Sequence, residues 1–256
     1  KSVLKNDITI DYGMQTNGVL LDYNLAVELK KLKIQVGISI DGTEGSNNKN
    51  RIYHNNKGSY TEIINGFNII KEVYGDKLAN CICVIDTDES PFDVYKHFKE
   101  IGARSVHFLF PDNNFKNTNY EDIPKVGEWL VLMFDLWYND SDLNKPSIRP
   151  LTDLIGLILG YEKYSEIFGK GKNNTLVIET NGDIETTDSL KICGDGFTKT
   201  KLNVENNEFD EIYKSSNLAK QYYNGHDDLC TTCKNCFLEE ICGGGFIGHR
   251  YSKENE

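Results

Sequence analysis

The stretch that decides the fold is QVGISIDG, residues 35–42. It is a short apolar run that ends in Asp-Gly, which is typical of a strand followed by a turn. Segments with apolar residues at helical spacing lie on both sides of it, at 21–32 and 59–75. Strands that alternate with helices of this length predict right-handed βαβ units around a parallel sheet. The sequence therefore predicts an α/β fold.

The same alternation continues outward from this strand. Residues 43–58 are polar and predict a loop, and the spacing of Ser59 and Glu62 predicts a capping box at the start of the next helix. Ligands bind parallel sheets beyond the carboxyl ends of the strands, so polar residues just past each strand are the first candidates for a site. The predicted strands before residue 112 are 8–16, 35–42, 80–86 and 105–111, and the predicted helices are 21–32, 59–75 and 90–102.

The second part of the chain has a different pattern. Two strongly apolar helices are predicted there, and a hairpin that turns at TNGD follows them. After the hairpin come one or two helices and a cysteine-rich loop. We expect a domain boundary near residue 170, which gives an α/β domain at 1–170 and a small cysteine-bearing domain at 171–256. The predicted elements are helices at 125–140 and 151–169, the hairpin at 175–191 and helical structure around 208–223.

Four cysteines lie within thirteen residues near the C-terminal end: Cys230, Cys233, Cys236 and Cys242, followed by three glycines. Thiolates this close in sequence can converge on one metal ion or iron–sulfur cluster, and the glycines let the backbone approach a bulky group. Zinc and iron–sulfur clusters both accept four thiolates, so the spacing leaves the metal open. Two disulfides would need an oxidising compartment, which nothing else in the sequence suggests.

Composition limits the remaining possibilities. The chain has 256 residues and a net charge of −11, which argues against a general nucleic-acid binder. It has no run of eighteen apolar residues and no secretory leader, so we expect a cytoplasmic protein without a membrane segment. Cys81 and Cys83 alternate in a predicted strand and are expected to pack in the core. The chain starts at Lys1 and ends without a clear terminal element, which suggests the interior of a longer protein.

Several phrases of the sequence, in this order, resemble the radical S-adenosylmethionine (SAM) enzymes and their SPASM extension, most closely the peptide-maturase branch. The resemblance implies a partial radical SAM (β/α) barrel followed by a small cysteine-rich SPASM-type domain. It also implies SAM and [4Fe–4S] clusters as cofactors, a ribosomally made precursor peptide as substrate, and flavodoxin or ferredoxin as reductant. The phrases are QTNGVLLD (15–22), VGISIDG (36–42), Arg51, GSYTEIINGFNII (58–70), VIETNGDIETTDSLK (177–191), LCTTCKNCFLEEICGGG (229–245) and HRY (249–251).

The resemblance implies a reaction. In such enzymes a [4Fe–4S] cluster cleaves SAM to a 5′-deoxyadenosyl radical, which takes a hydrogen atom from the peptide, and the peptide-maturase branch installs side-chain cross-links. Two features of the family are missing. The Cys-x3-Cys-x2-Cys motif that binds the SAM-cleaving cluster occurs nowhere in this chain, and no further cysteine follows HRY. We therefore expect residues 1–256 alone to be inactive; a degenerate paralogue is the alternative.

The resemblance also assigns residues that would bind SAM. Carried over, Ser39 and Arg51 hold the SAM carboxylate, and a guanidinium suits that task because it forms two parallel bonds. Asp41, at the end of the same strand, and Gln15, past the preceding strand, would line the cavity. The alternatives are that Asp41 begins an ordinary turn, that Arg51 is a solvated charge in a loop, and that the QTNG residues serve only to form a turn.

Asp188 matches the place where related SPASM enzymes carry the base that removes a substrate proton. Thr187 stands where a cluster cysteine often precedes that base, and Cys193 is a possible substitute ligand. The alternative for Asp188 is local bonding to Ser189 and Lys191.

A different class of function also fits the cysteine loop. A four-thiolate zinc site can be purely structural, so the chain could be a zinc-stabilised module that binds a peptide or another protein without catalysis.

Overall fold

The computed structural model describes residues 9–75, 79–117, 123–161, 165–224 and 229–252. Packing divides the chain into two compact units. The first contains residues 1–111 and 124–150, and the second contains residues 112–123 and 151–256. The predicted boundary between family domains near residue 170 stays a prediction.

The first unit is built on a five-stranded sheet in which each strand pairs in parallel with the next in the chain. This confirms the predicted α/β fold with a parallel sheet. The strands are β1 (Tyr12–Thr16), β2 (Ile34–Ser39), β3 (Asn80–Val84), β4 (Ser105–Leu109) and β5 (Ser147–Ile148). The helices are α1 (Tyr23–Lys31), α2 (Glu44–Asn50), α3 (Tyr60–Tyr74), α4 (Pro91–Glu100), α5 (Ile123–Asn139) and α6 (Arg149–Ile158), the last of which continues into the second unit.

One face of this sheet forms the core of the unit. Successive residues of a strand point to opposite faces, and the buried positions of β2 and β3 alternate accordingly. Cys81 and Cys83 are both 2% exposed on the buried face, as predicted, and burial raises the pKa of both thiols. Phe108 of β4 packs edge-on against Phe98 of α4 and Trp129 of α5, which ties those helices to the same face.

Three local predictions for the chain are wrong. The segment 43–58 is not all loop: α2 forms because the hydroxyl of Thr43 accepts the N–H of Ser46 and caps the helix. Ser59 makes no capping bond, because its hydroxyl instead donates to the carbonyl of Arg51 at 2.8 Å. The helix predicted at 151–169 already ends at Ile158.

The second unit contains a three-stranded antiparallel sheet in the order β6-β7-β8. The predicted hairpin turn is present: Gly182 has a φ of +86°, and the side chain of Asn181 accepts the N–H of Asp183. The strands are β6 (Val177–Ile178), β7 (Asp183–Glu185) and β8 (Lys199–Asn203). The helices are two 3-10 helices at Asp188–Cys193 and Phe209–Lys214, then α7 (Asn217–Asn224), α8 (Thr231–Lys234), α9 (Glu239–Cys242) and α10 (Ile247–Arg250).

A compact apolar cluster holds this second unit together. It contains side chains from the hairpin, both 3-10 helices, α7 and the segment before α10. The segment that follows the cysteine loop is therefore packed into the hydrophobic core of this unit. Across the described ranges, none of the helices combines the length and the apolar character that crossing a bilayer requires. The buried members of the cluster are Ile184, Leu190, Cys193, Ile212, Ala219, Tyr222, Tyr223 and Phe246.

Candidate functional site

The carboxyl ends of β1 and β2 bring Gln15 and Ser39 together. In the parallel register Gln15 pairs with Gly37, so that Ser39 lies two residues further along the neighbouring strand. The amide of Gln15 donates to the hydroxyl of Ser39 at 3.1 Å. A Cβ at Gly37 would lie 2.2 Å from the side-chain oxygen of Gln15, so the Gln15 side chain can lie over β2 and reach Ser39 only because residue 37 is glycine. These two predicted residues therefore form one polar edge, where parallel sheets bind ligands.

Asp41 organises the loop that follows β2. Its carboxylate accepts bonds from Nε and Nη2 of Arg51, at 2.6 and 3.2 Å, and a third from the backbone N–H of Val84 at 3.0 Å. Only 13% of the Asp41 side chain and 26% of the Arg51 side chain are exposed. Arg51 is thus not the solvated loop charge of the alternative reading. Gly42 has a φ of +77°, so Asp41 also begins a turn.

The pair leaves one edge of the Arg51 guanidinium available. Nε and Nη2 bond to Asp41, and within the described residues Nη1 donates to no side chain. Because the pair fixes the plane of the guanidinium, the Nη1 edge has a defined direction. Asp41 thereby orders Arg51 and the backbone of Val84, and its predicted place in the lining of a SAM cavity stays a prediction.

Asp188 is placed at the start of the 3-10 helix after the hairpin, where it faces solvent. Its side chain is 62% exposed, and its carboxylate forms an ion pair with Lys191 at 2.7 Å. This geometry agrees with the local-bonding alternative. A base for removing a substrate proton is normally tuned by burial, and this carboxylate has little of it. The catalytic role of Asp188 stays a prediction.

A half-buried carboxylate that the sequence did not single out, Glu166, bonds to the residue that follows Asp188. The hydroxyl of Tyr222 donates to Glu166, and the hydroxyl of Ser189 donates to the other carboxylate oxygen at 2.9 Å. Ser189 is also 3.1 Å from the hydroxyl of Thr187. Burial, together with the neighbouring Glu166, raises the pKa of Tyr222. No sequence signal could have found this network, because Glu166 and Tyr222 are 56 residues apart and belong to no motif.

The cysteine loop presents free thiols. Cys230, Cys236 and Cys242 are exposed and Cys233 is half-buried. The interaction between Cys230 and Cys233 lowers the pKa of Cys230 and raises that of Cys233. Among the described residues, no three His, Cys, Asp or Glu side chains converge as metal ligands do. The structure therefore brings two of the four predicted ligands into contact.

Cys193, the fifth predicted ligand, is buried rather than exposed. It is 7% exposed within the apolar cluster of the second unit, and burial raises the pKa of its thiol to about 11. That environment favours the neutral thiol over the thiolate that binds metals. A ligand role for Cys193 stays a prediction.

The loop nonetheless has features that suit a bound cluster. Gly243, Gly244 and Gly245 all have positive φ values, of 61°, 85° and 70°, so the chain turns sharply after Cys242. A Cβ at Gly244 would lie 2.4 Å from Leu229, so the two ends of the loop are packed together. Four exposed or half-exposed thiols on such a loop match, in chemical type and number, the donor set of an iron–sulfur cluster or of zinc.

Comparison with known proteins extends these observations. No protein-family profile matches the chain. It is 30% identical over 252 residues to a cysteine-type anaerobic sulfatase-maturating enzyme of Clostridium novyi, a match that covers 93% of this chain and 64% of the relative. The chain thus spans somewhat less than two thirds of that relative's length.

Two solved structures share the fold. Native anSMEcpe with bound AdoMet superimposes with a TM-score of 0.81 at 26% identity, covering 98% of this chain and 69% of that one. The same protein with bound AdoMet and Cp18Cys peptide gives a TM-score of 0.81 at 24% identity, covering 98% and 70%. These similarities show that the chain shares the fold of that protein.

Proposed function

We propose that this chain is the greater part of a radical SAM enzyme with a SPASM-type extension that oxidises a cysteine or serine side chain of a protein substrate to formylglycine. The observation that carries the proposal is the sequence match to a cysteine-type anaerobic sulfatase-maturating enzyme along 93% of the chain. The polar edge at β1 and β2 and the cysteine loop supply the two chemical functions that such an enzyme needs.

The sheet edge supports SAM binding. In the proposed site Ser39 and the Nη1 edge of Arg51 bind the amino-acid end of SAM, because a hydroxyl and a guanidinium are suited to a carboxylate. Asp41 holds the guanidinium in place through two bonds, so the arginine does not have to be ordered when SAM binds. Gln15 orients the Ser39 hydroxyl through the 3.1 Å bond.

The cysteine loop supports an iron–sulfur site. Cys230, Cys233, Cys236 and Cys242 would hold an auxiliary [4Fe–4S] cluster. When bound, such clusters supply one-electron chemistry, which a side-chain oxidation requires. The protein residues contribute the thiolates, the glycine turn that lets the backbone approach, and the packing of Leu229 against Gly244 that closes the loop.

The substrate follows from the relatives. A peptide with an oxidisable cysteine is proposed because the sequence relative is named for cysteine-type sulfatase maturation and a structural neighbour was solved with a Cys peptide. Side-chain cross-linking, the finer prediction from the sequence, stays a prediction, as does flavodoxin or ferredoxin as the reductant. So does the inactivity of residues 1–256 alone, which should release no 5′-deoxyadenosine from SAM and a reductant.

The test is metal and ligand analysis of the anaerobically purified chain. We expect iron with acid-labile sulfide and no stoichiometric zinc, and saturable SAM binding in equilibrium dialysis that Ser39→Ala weakens. One zinc, no iron and no SAM binding would establish the alternative, a zinc-stabilised binding module. The product of the complete gene should then convert a cysteine-containing sulfatase peptide to formylglycine, detected by mass spectrometry; unchanged peptide beside normal SAM cleavage would contradict the proposed substrate.

A further inference from the structure

Arg250 lies against the turn that closes the cysteine loop. It is the last residue of α10, the short helix that follows the three glycines. A Cβ at Gly244 would be 3.3 Å from Nη1 of Arg250 and 3.7 Å from the carbon at the centre of its guanidinium. The guanidinium therefore stacks on a backbone position that only glycine leaves open, two residues after Cys242.

The Nε–H of Arg250 is buried and has no hydrogen-bond acceptor in the described part of the chain. Such orphaned donors are rare in folded proteins, and a donor on a permanently charged group is costly to leave unsatisfied. If Arg250 served only to brace the glycine turn, nothing would require its Nε–H to be buried without an acceptor. The orphaned donor indicates a group that is present in the working protein.

The surroundings of Arg250 identify the chemistry of that group. The positive charge of Arg250 acts on the sulfur of Cys233, and the guanidinium packs against Gly244, two residues after Cys242, so it lies close to the thiols of the loop. A set of thiolates around a metal–sulfur cluster is anionic and offers sulfur acceptors. Guanidinium N–H groups bond well to anions because the bond is charge-assisted.

We infer that Arg250 is a positioning residue for the cysteine loop, whose Nε–H donates a hydrogen bond to a thiolate or sulfide sulfur of the cluster held there. The inference rests on the proposed iron–sulfur function. Hydrogen bonds to cluster sulfurs and nearby positive charge stabilise the more negative, reduced state, so they raise the reduction potential. Arg250 would therefore make the loop's cluster easier to reduce, beyond anchoring it.

The test is an anaerobic redox titration of the iron–sulfur-reconstituted chain, monitored by electron paramagnetic resonance. This chain lacks the Cys-x3-Cys-x2-Cys spacing, so a single cluster signal is expected from the loop. Three variants are compared: Arg250→Met, Arg250→Lys, and Lys234→Met, which removes the same charge from an exposed position of the same loop. We expect Arg250→Met to lower the midpoint potential by about 59 mV. For a one-electron couple this corresponds to a tenfold change in the oxidised-to-reduced ratio at a given potential.

Arg250→Lys separates hydrogen bonding from charge. It keeps the charge and loses the Nε–H, so the inference requires it to shift in the same direction as Arg250→Met, while Lys234→Met stays near the wild type. A second readout is the increase in melting temperature when the cluster is inserted. That increase should be smaller in both Arg250 variants, while the apoprotein melts no lower than the wild type because the orphaned donor is gone.

The outcomes separate the two claims. A wild-type chain that takes up no iron and sulfide overturns the proposed function, and the inference with it. A wild-type chain that binds the cluster, with Arg250→Lys matching it in both potential and cluster-induced stabilisation, overturns the inference alone. If Arg250→Met does not fold, Arg250→Lys alone decides the inference.

Discussion

Asp41 and Arg51 are joined by two hydrogen bonds, of 2.6 and 3.2 Å, and the same carboxylate accepts the N–H of Val84. The loop after β2 is thereby tied to the end of β3. The relationship places a charged pair beyond the carboxyl end of β2, where it stabilises the unit and fixes the direction of the guanidinium at the same time.

Replacing Asp41 should destabilise the first unit. Asp41→Ala leaves a half-buried guanidinium and a backbone N–H without their acceptor, so we expect the free energy of unfolding to fall by about 1–3 kcal/mol. Chemical denaturation measures this change. The control is Glu28→Gln, which breaks an exposed ion pair with Lys31 and should cost no more than about 0.5 kcal/mol. Equal effects of the two substitutions would contradict the role given to Asp41.

Gly37→Ala should weaken SAM binding without disturbing the sheet. The new methyl group would displace the Gln15 side chain, whose oxygen would otherwise be 2.2 Å away, and so break its bond to Ser39. Losing about one hydrogen bond predicts a roughly tenfold rise in the dissociation constant of SAM. Gly13→Ala is the matched control, because its Cβ meets only the carbonyl of Gln35, at 3.8 Å. The prediction fails if both variants bind SAM like the wild type.

Two glycines inside helices should respond to alanine in opposite directions. A Cβ at Gly66 in α3 would lie 2.2 Å from the backbone oxygen of Gly18, so Gly66→Ala forces the helix away from that loop. We expect this to lower the free energy of unfolding by about 1–3 kcal/mol. Nothing lies within 4 Å of a Cβ at Gly127 in α5. Gly127→Ala should therefore stabilise by about 0.4–1 kcal/mol, because it removes freedom from the unfolded chain. Thermal unfolding of both variants provides the measurement; destabilisation by Gly127→Ala would show that α5 has less room than described.

His97 should make the first unit sensitive to acid. Burial lowers the pKa of His97 below its ordinary value of 6.5, and Tyr60 lies 3.4 Å from its ring. Because the folded-state pKa is below the unfolded one, the unfolded state binds more protons, and stability falls as the pH drops below about 6.5. Above that value the histidine is neutral in both states and contributes no pH dependence.

His97→Gln should flatten this acid limb of the stability profile, whereas His54→Gln, at an exposed position, should leave it in place. Denaturant midpoints recorded between about pH 5 and 8 distinguish these results. An unchanged slope in His97→Gln would assign the acid sensitivity to other groups.

The sequence contained most of what was needed for the fold. The predicted helix 59–75 appears as α3 within one residue of its predicted ends, and the predicted strand 35–42 appears as β2 but ends at Ser39. Gly42 and Gly75, the turn and stop signals, both have positive φ values. The two-residue strand β5 was missed, since Ser147 and Ile148 show no periodicity and form a strand only by pairing with β4.

The site was predictable only in part. The position of Gln15 and Ser39 follows from strand register, which a parallel sheet fixes once its strands are known. The Asp41–Arg51 pair depends on how α2 folds the intervening loop back, and that helix was not expected from a polar segment. Glu166 and Tyr222 meet through tertiary packing alone, which no local pattern encodes.

The seven thiols of the chain differ sharply in chemical reactivity. Oxidants attack thiolates that they can reach, and Cys81 and Cys83 are inaccessible and held protonated, while the loop thiols are open to solvent. Contact with air would accordingly damage the C-terminal loop first and spare the sheet. A preparation handled aerobically would keep a native circular dichroism spectrum after the thiols of its cysteine loop had been oxidised. A native spectrum therefore does not show that the loop is intact.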